Sequence, residues 1–254
     1  MGRIIAVANQ KGGVGKTTTS INLAACLAEK GKKVLTVDMD PQGNLTSGLG
    51  VDKDSAEKTI YDLIIGDVSI NEVINKEVLE NLDIIPTSID LSAAEIELIG
   101  VDDKEYILRN AIDQVKNQYD FVIIDCPPSL SMLTINAMTT ADSVIVPIQC
   151  EYYALEGLSQ LIHTVELVKD RLNPKLEIEG VVFTMYDART NLSLQVVENV
   201  KDNLQQNIYK TIIPRNIRLA EAPSYGMPIN KYDPKSTGAE SYMRLADEVI
   251  EREE

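Results

Sequence analysis

Cysteine is scarce in this chain, histidine scarcer still, and apolar runs of membrane-spanning length are missing. The three cysteines, Cys26, Cys126 and Cys150, are too few and too far apart for a disulfide framework or a Cys-x-x-Cys metal site. Cys26 and Cys126 stand in apolar stretches, so the three read as reduced thiols of a cytosolic protein. His163, the one histidine, has no Cys or His at ligand spacing and reads as an ordinary surface or core residue of a helix. No apolar stretch approaches the roughly 18 residues that span a bilayer. Ile4-Ile5-Ala6-Val7-Ala8 begins so close to Met1 that no signal peptide fits, and a cytoplasmic chain is expected. Positive charge is in deficit too: the net charge of -15 over 254 residues argues, taken alone, against nucleic acid and anionic membranes as partners.

The deficit is uneven. Residues 51–118 hold 16 Asp or Glu against 6 Lys or Arg, whereas 210–235 hold five basic residues (Lys210, Arg215, Arg218, Lys231, Lys235) against Glu221 and Asp233. That basic stretch reads either as a solvated surface or as a patch for an anionic partner. With 44% apolar residues the chain can bury a substantial core.

Short β-branched runs alternate with helical periodicity, punctuated by Gly, Asn, Asp or Pro. Strands are expected at 3–9, 33–38, 82–86, 120–125, 143–148, 179–185 and 209–213, and helices at 16–30, 58–65, 91–98, 104–117, 151–172, 192–206 and 236–251. Phe121-Val122-Ile123-Ile124 and Val144-Ile145-Val146 are apolar on successive residues, as parallel strands covered on both faces are. The pattern predicts an α/β fold: a single doubly wound domain over 1–254, with a mostly parallel sheet of about seven strands, helices on both faces, and ligands at the strands' carboxyl ends.

Between the first strand and the first helix lies Lys11-Gly12-Gly13-Val14-Gly15-Lys16-Thr17-Thr18. Glycines there let backbone N–H groups turn inward onto phosphate oxygens, and the helix start adds partial positive charge. In such a P-loop Lys16 reaches the β- and γ-phosphates and the Thr17 hydroxyl ligates Mg²⁺. The loop departs from GxxxxGK[ST] at its first glycine, which is Gln10 here, and carries a second lysine, Lys11. Two apolar strands end in carboxylates, Asp38 and Asp40 in one case and Asp125 in the other. Carboxylates in that position need a cation or donors; the plainer alternative is a helix cap or turn.

Together with Asp38-Met39-Asp40-Pro41-Gln42 and Ile124-Asp125-Cys126-Pro127-Pro128, the loop resembles that of the deviant Walker A ATPases, and specifically the ParA/Soj partition proteins. Gln149-Cys150-Glu151-Tyr152-Tyr153-Ala154-Leu155-Glu156-Gly157 and Pro214-Arg215-Asn216-Ile217-Arg218-Leu219-Ala220-Glu221-Ala222-Pro223-Ser224-Tyr225-Gly226 extend the resemblance over essentially the whole chain. The resemblance implies an ATPase with ATP and Mg²⁺ as ligands, phosphates cradled by residues 11–18, Lys11 reaching the partner's ATP across a homodimer, and Lys16 on its own. It further implies that Asp40 positions or polarises the attacking water, that Thr17, Asp40 and Asp125 are the metal-site residues, Asp125 holding Mg²⁺ through water, and that Pro214 and Asn216 lie near adenine. A lysine that neutralises ATP within its own subunit is the alternative for Lys11. In Thr184-Met185-Tyr186-Asp187 related GTPases place a lysine and a guanine-reading aspartate, and Met185 takes the lysine's position; ATP is what the resemblance implies.

By the same resemblance, ATP dimers bind double-stranded DNA without sequence preference through Arg189 and Arg218, and release it after hydrolysis stimulated by a ParB/Spo0J-like partner. The protein would be nucleoid-associated, and the acidic helical segment 91–117 would help receive a basic activating peptide. No helix-turn-helix extension precedes the loop, unlike in the longer partition ATPases. The rivals are a MinD-like membrane-cycling ATPase, which needs a basic amphipathic tail where this sequence ends in Glu251-Arg252-Glu253-Glu254, a nitrogenase-iron-protein-like reductase with paired cluster cysteines, and a cargo-positioning ATPase on a DNA matrix. Tyr152 and Tyr153 are read as packing or interface residues.

Overall fold

The computed structural model describes residues 2–53, 56–151, 154–203 and 207–252; Tyr152 and Tyr153 lie outside them. Among the described residues eight strands form one sheet: β1 (Arg3–Val7), β2 (Val34–Asp38), β3 (Asn75–Leu79), β4 (Leu82–Ile85), β5 (Phe121–Asp125), β6 (Ser143–Gln149), β7 (Glu177–Tyr186) and β8 (Ile208–Pro214). Their order across the sheet is β3-β4-β2-β5-β1-β6-β7-β8, and every pairing is parallel except β3 with β4. The chain winds from β1 to one side, returns through β5, and leaves on the other side through β6. The crevice at the carboxyl end of β1 is therefore the topological switch point, where open α/β sheets bind ligands.

Alternation along the buried strands feeds two hydrophobic layers. Ile4, Ala6, Val122 and Ile124 face one layer, with Leu108, Ala137, Leu161 and Val200 from the covering helices. Ile5, Val7, Phe121 and Ile123 face the other, where Leu23, Leu27, Tyr242 and Leu245 close over them. Burial on both faces explains why these strands carry continuous apolar runs. Among the described residues no helix is long and apolar enough to cross a membrane.

Seven of the eight strands fall where sequence periodicity puts them. The eighth, β3, is an antiparallel edge with half-exposed side chains, and a bulge interrupts its pairing with β4. Glu77 there adopts a φ of 55°, and its N–H donates to Asp83 Oδ1 at 2.8 Å. Exposed Lys76 and Glu77 blunt that edge against further pairing.

The helix expected at 104–117 is corrected: the segment is a 3₁₀ turn at Lys104–Tyr106, an α-helix at Ile107–Ile112 and a second 3₁₀ turn at Lys116–Gln118. The cause is Asn136, fully buried, whose Nδ2 donates to the Lys104 carbonyl at 2.9 Å while its Oδ1 accepts from Leu108 N–H at 3.2 Å. These are the two groups that a continuous helix would bond to each other. Asn136 sits on the helix Met132–Thr140, which joins β5 to β6. Its Thr- and Ile-containing sequence has weak helix propensity, so packing rather than local preference holds it.

Candidate nucleotide site

β1 delivers the chain to the loop at residues 9–15, and the helix Lys16–Glu29 leaves it. Asn9 fixes the entry, its Nδ2 donating to the Pro147 carbonyl at 2.8 Å and its Oδ1 accepting from Lys11 N–H at 3.0 Å. Thr184 Oγ1 donates to the Val14 carbonyl at 2.8 Å. Gly13 and Gly15 take φ values of 74° and 87°, where a Cβ is strained, and a Cβ on Gly12 or Gly13 would meet only open space. The loop is thus an open, rigidly anchored cradle. The helix it feeds has no acidic residue in its first turn and no capping side chain, so its leading N–H groups face the cradle.

The two lysines part company. Lys16 is buried, and its Nζ donates to the Lys11 carbonyl at 3.1 Å. Burial draws its pKa down, with Asp125, Cys126 and Asp40 pulling the other way. Lys11 points outward, and its ammonium pairs with Glu151 at 2.8 Å, both side chains partly exposed. Gln149 Nε2 donates to the second Glu151 oxygen at 2.7 Å.

Asp38 and Asp125 end β2 and β5 and are partners in register. Asp125, fully buried, accepts from Thr17 Oγ1 and Ser20 Oγ, both at 2.7 Å. Asp38 accepts from Thr46 N–H at 2.8 Å, Thr46 Oγ1 at 2.7 Å and Asp40 N–H at 3.2 Å. Burial pushes both carboxyls above their usual range, and their closeness adds to the shift of Asp125. A hydroxyl and a carboxylate in contact are hard oxygen donors that suit Mg²⁺, a cation that takes few protein ligands and completes its shell with water and phosphate. The residues fit that ion, and among the described residues no cluster of three or more His, Cys, Asp or Glu offers an all-protein cage. Asp40 stands apart from the Thr17–Asp125 pair: nearly buried, it accepts from Gln42 N–H at 3.0 Å, yet its charge acts on both Lys16 and Asp125.

Beside the loop opens a largely apolar cleft of about 570 Å³ that Gly15 and Thr18 share with Met185, Pro214, Asn216 and Ile217. Pro214 and Asn216 therefore sit next to the phosphate cradle, and Asn216 caps the helix Ile217–Glu221 by accepting from Arg218 N–H. Arg189 and Arg218 are exposed, and each is already paired. Arg189 makes a two-pronged contact with Asp187 at 2.8 and 2.6 Å, and Arg218 meets Glu221 at 2.8 Å and Asp233 at 3.5 Å. His163 is exposed, and all three cysteines are buried and free.

Sequence reasoning missed Ser20, Thr46 and the pairing of Lys11 with Glu151. Ser20 was detectable, since it follows Thr17 by three residues on one helix face; Thr46 carried no local signal.

An anchored glycine loop at the switch point of a parallel sheet, with an inward lysine and a hydroxyl–carboxylate pair, defines a P-loop nucleotide-binding protein. A profile of the family described as AAA domain matches residues 2–178. The sporulation initiation inhibitor protein Soj of Bacillus subtilis is 59% identical over 249 residues, 98% of each chain. The chromosome partitioning protein ParA of Myxococcus xanthus is 52% identical over 253 residues, covering 100% of this chain and 89% of that one. Among solved structures, cobyrinic acid a,c-diamide synthase from Mycobacterium smegmatis with bound ATP analogue and magnesium superposes with a TM-score of 0.88 at 39% identity, covering 98% of this chain and 95% of that one. The Pyrococcus furiosus cell division ATPase MinD gives a TM-score of 0.82 at 29% identity over 99% of each chain. The chain belongs to the Soj/ParA family.

Proposed function

We propose that this protein is a partition ATPase whose ATP-bound homodimer holds double-stranded DNA and whose hydrolysis, stimulated by a ParB/Spo0J-like partner, releases it on the nucleoid. The observation that carries this reading is the opposite orientation of the two loop lysines. Lys16 is committed to the cradle, whereas Lys11 is held at the surface by one exposed carboxylate. An exposed ion pair is worth about 0–1 kcal/mol, so Lys11 is cheaply released to a partner's phosphates, where a cation offsets charge developing during phosphoryl transfer.

Within one subunit the backbone of residues 12–15 orients the phosphates, Lys16 neutralises them, and Thr17 with Asp125 are the residues to hold Mg²⁺. Held there, that ion would offset the negative charge on the phosphates. Asp40, close enough to act on Lys16 and Asp125, orients the attacking water. Pro214 and Asn216 flank the base. Arg189 and Arg218, with the exposed basic residues of 210–235, form the DNA-facing surface, and dimerisation joins two weak patches so that the second contact becomes intramolecular. The extent of the Soj and ParA similarity supports partition over the diamide synthase and MinD readings, whose likeness is lower.

The test is Lys11→Ala, examined for nucleotide binding and for oligomeric state by light scattering with a non-hydrolysable ATP analogue. Retained binding with loss of the dimer is expected. Normal dimerisation by the variant sinks the trans role.

A further inference from the structure

The basic stretch 210–235 contains two carboxylates, Glu221 and Asp233. Both sit on the same arginine. Arg218 Nη1 meets Glu221 at 2.8 Å, and its Nε lies 3.5 Å from Asp233. Arg189 repeats the arrangement with Asp187, its Nε and Nη2 donating to the two carboxylate oxygens at 2.8 and 2.6 Å. Among the described residues, Lys210, Arg215 and Lys235 of the same basic stretch are in no ion pair. The two arginines assigned to DNA above are thus the ones that the chain covers with its own negative charge.

The covering carboxylates are themselves held in place. Asp187 Oδ1 also accepts from the Arg189 backbone N–H at 3.0 Å, and the bond from the guanidinium keeps the Asp187 carboxyl well below its usual range. Glu221 Oε2 accepts from the Tyr232 hydroxyl at 3.2 Å, and the Tyr232 ring lies against Tyr225 with centroids 5.1 Å apart. Pairing therefore costs little side-chain freedom on the acidic side. The donors in use are also the ones that matter: the Nε–Nη2 edge of a guanidinium fits two oxygens of a carboxylate or of a phosphate equally. A DNA phosphate has to displace Asp187 to reach that edge of Arg189, and a displaced carboxylate that stays nearby repels it.

We infer that Asp187, Glu221 and Asp233 are intramolecular stand-ins for DNA phosphate, an autoinhibitory contact that keeps a solitary subunit off the duplex. This rests on the DNA-binding reading above and adds to it the device that sets its threshold. Each exposed pair is weak, so the guard is graded. One patch meeting the duplex alone has to displace its guards with few phosphate contacts in return. Two patches held together by a dimer make the second contact intramolecular and displace both sets.

The probe is a short labelled DNA duplex, used in two unrelated sequences, and binding to nucleotide-free protein is followed by fluorescence anisotropy over a range of salt. The guard variants are Asp187→Asn and Glu221→Gln/Asp233→Asn, each checked for an unchanged melting temperature and for a monomer by light scattering. The control is Glu198→Gln/Asp202→Asn, which neutralises two exposed carboxylates that are in no ion pair among the described residues. Each unmasked arginine should raise affinity about two- to fivefold beyond the control, the range of an exposed ion pair. The slope of log affinity against log salt should steepen by about 0.9 for each phosphate newly neutralised. The gain should vanish when the arginine itself is absent, in Asp187→Asn/Arg189→Ala against Arg189→Ala and in the corresponding set at Arg218. Gains no larger than the control, or gains that persist without the arginine, overturn the proposal, since general charge would then account for them. Wild type is measured in parallel with a non-hydrolysable ATP analogue: if it retains DNA there while the guard variants match the control, the guard alone fails, and if neither it nor any variant binds DNA, the DNA-binding reading fails and the guard with it.

Discussion

Replacing Thr46 by valine isolates the strap that holds the loop carrying Asp40. Thr46 is fully buried; its hydroxyl donates to Asp38 at 2.7 Å and accepts from Thr87 N–H at 3.1 Å. Valine fills the same space and keeps the backbone N–H that Asp38 also uses. What disappears is one hydrogen bond to a buried carboxylate, and Thr87 N–H is left without its acceptor. A bond to a charged group contributes about 1.5–3 kcal/mol and an orphaned buried donor costs about 1–3 kcal/mol, so a combined loss near 3 kcal/mol is expected. For a chain of this size each kcal/mol lowers Tm by about 2–4 °C, which gives a drop of about 6–12 °C in nucleotide-free protein. Thr46→Ser keeps the hydroxyl and should lose less than half of that. Because the strap reaches Asp40 through Asp38, Thr46→Val should also slow ATP turnover while leaving nucleotide affinity near wild type. Thermal denaturation and turnover measured side by side provide the assay. A valine variant as stable and as active as the serine variant would refute the reasoning, since both would then owe their behaviour to volume alone.

Arg218→Ala should weaken DNA binding to the same extent on unrelated sequences and reduce the slope of log affinity against log salt by about 0.9 for each phosphate that is no longer neutralised; weakening confined to one sequence would contradict a backbone-binding role. Asp38 and Asp125 carry raised pKa values in the folded chain, Asp125 up to about 7 from an ordinary 3.8. Between those limits the folded state binds more protons than the unfolded state, so stability must fall as pH rises through the window. The metal-free, nucleotide-free chain should therefore have a higher urea midpoint at pH 5.5 than at pH 8. Asp125→Asn should remove most of that difference, and an unaltered difference in the variant would assign it elsewhere.

What the sequence made legible was whatever carried its own local physics. The buried parallel strands announce themselves because both of their faces are covered, and the phosphate loop because its glycines, lysines and threonine are demanded by one ligand. β3 escaped because an edge strand has one side in water and a bulge at Glu77 breaks its alternation. The break at 104–117 escaped for the opposite reason: its cause, Asn136, lies on another helix, and nothing within the segment records a side chain that takes over a backbone bond. The partners of Lys11 and Asp38 were likewise set by folding and not by local pattern, Glu151 from just past β6 and Thr46 from the short helix Asn44–Gly48 after β2. Neither has a spacing rule.

The same topology explains why the segment after β4 and the loop carrying Asp40 are neighbours. β4 pairs in parallel with β2, with Ile85 beside Val37, so the chain leaves both strands at the same rim of the sheet. β2 then runs into Asp38 and Asp40, and β4 into Thr87 and the exposed isoleucines. The Thr87–Thr46–Asp38 bonds lace the two exits together. The few side chains between them, Thr46, Asp38 and Thr87, are fully buried. Such packing passes a displacement on instead of absorbing it. A change of side chain at Thr46 is therefore felt at both exits, which is why Thr46→Val is expected to reach Asp40 and not only the stability of the fold.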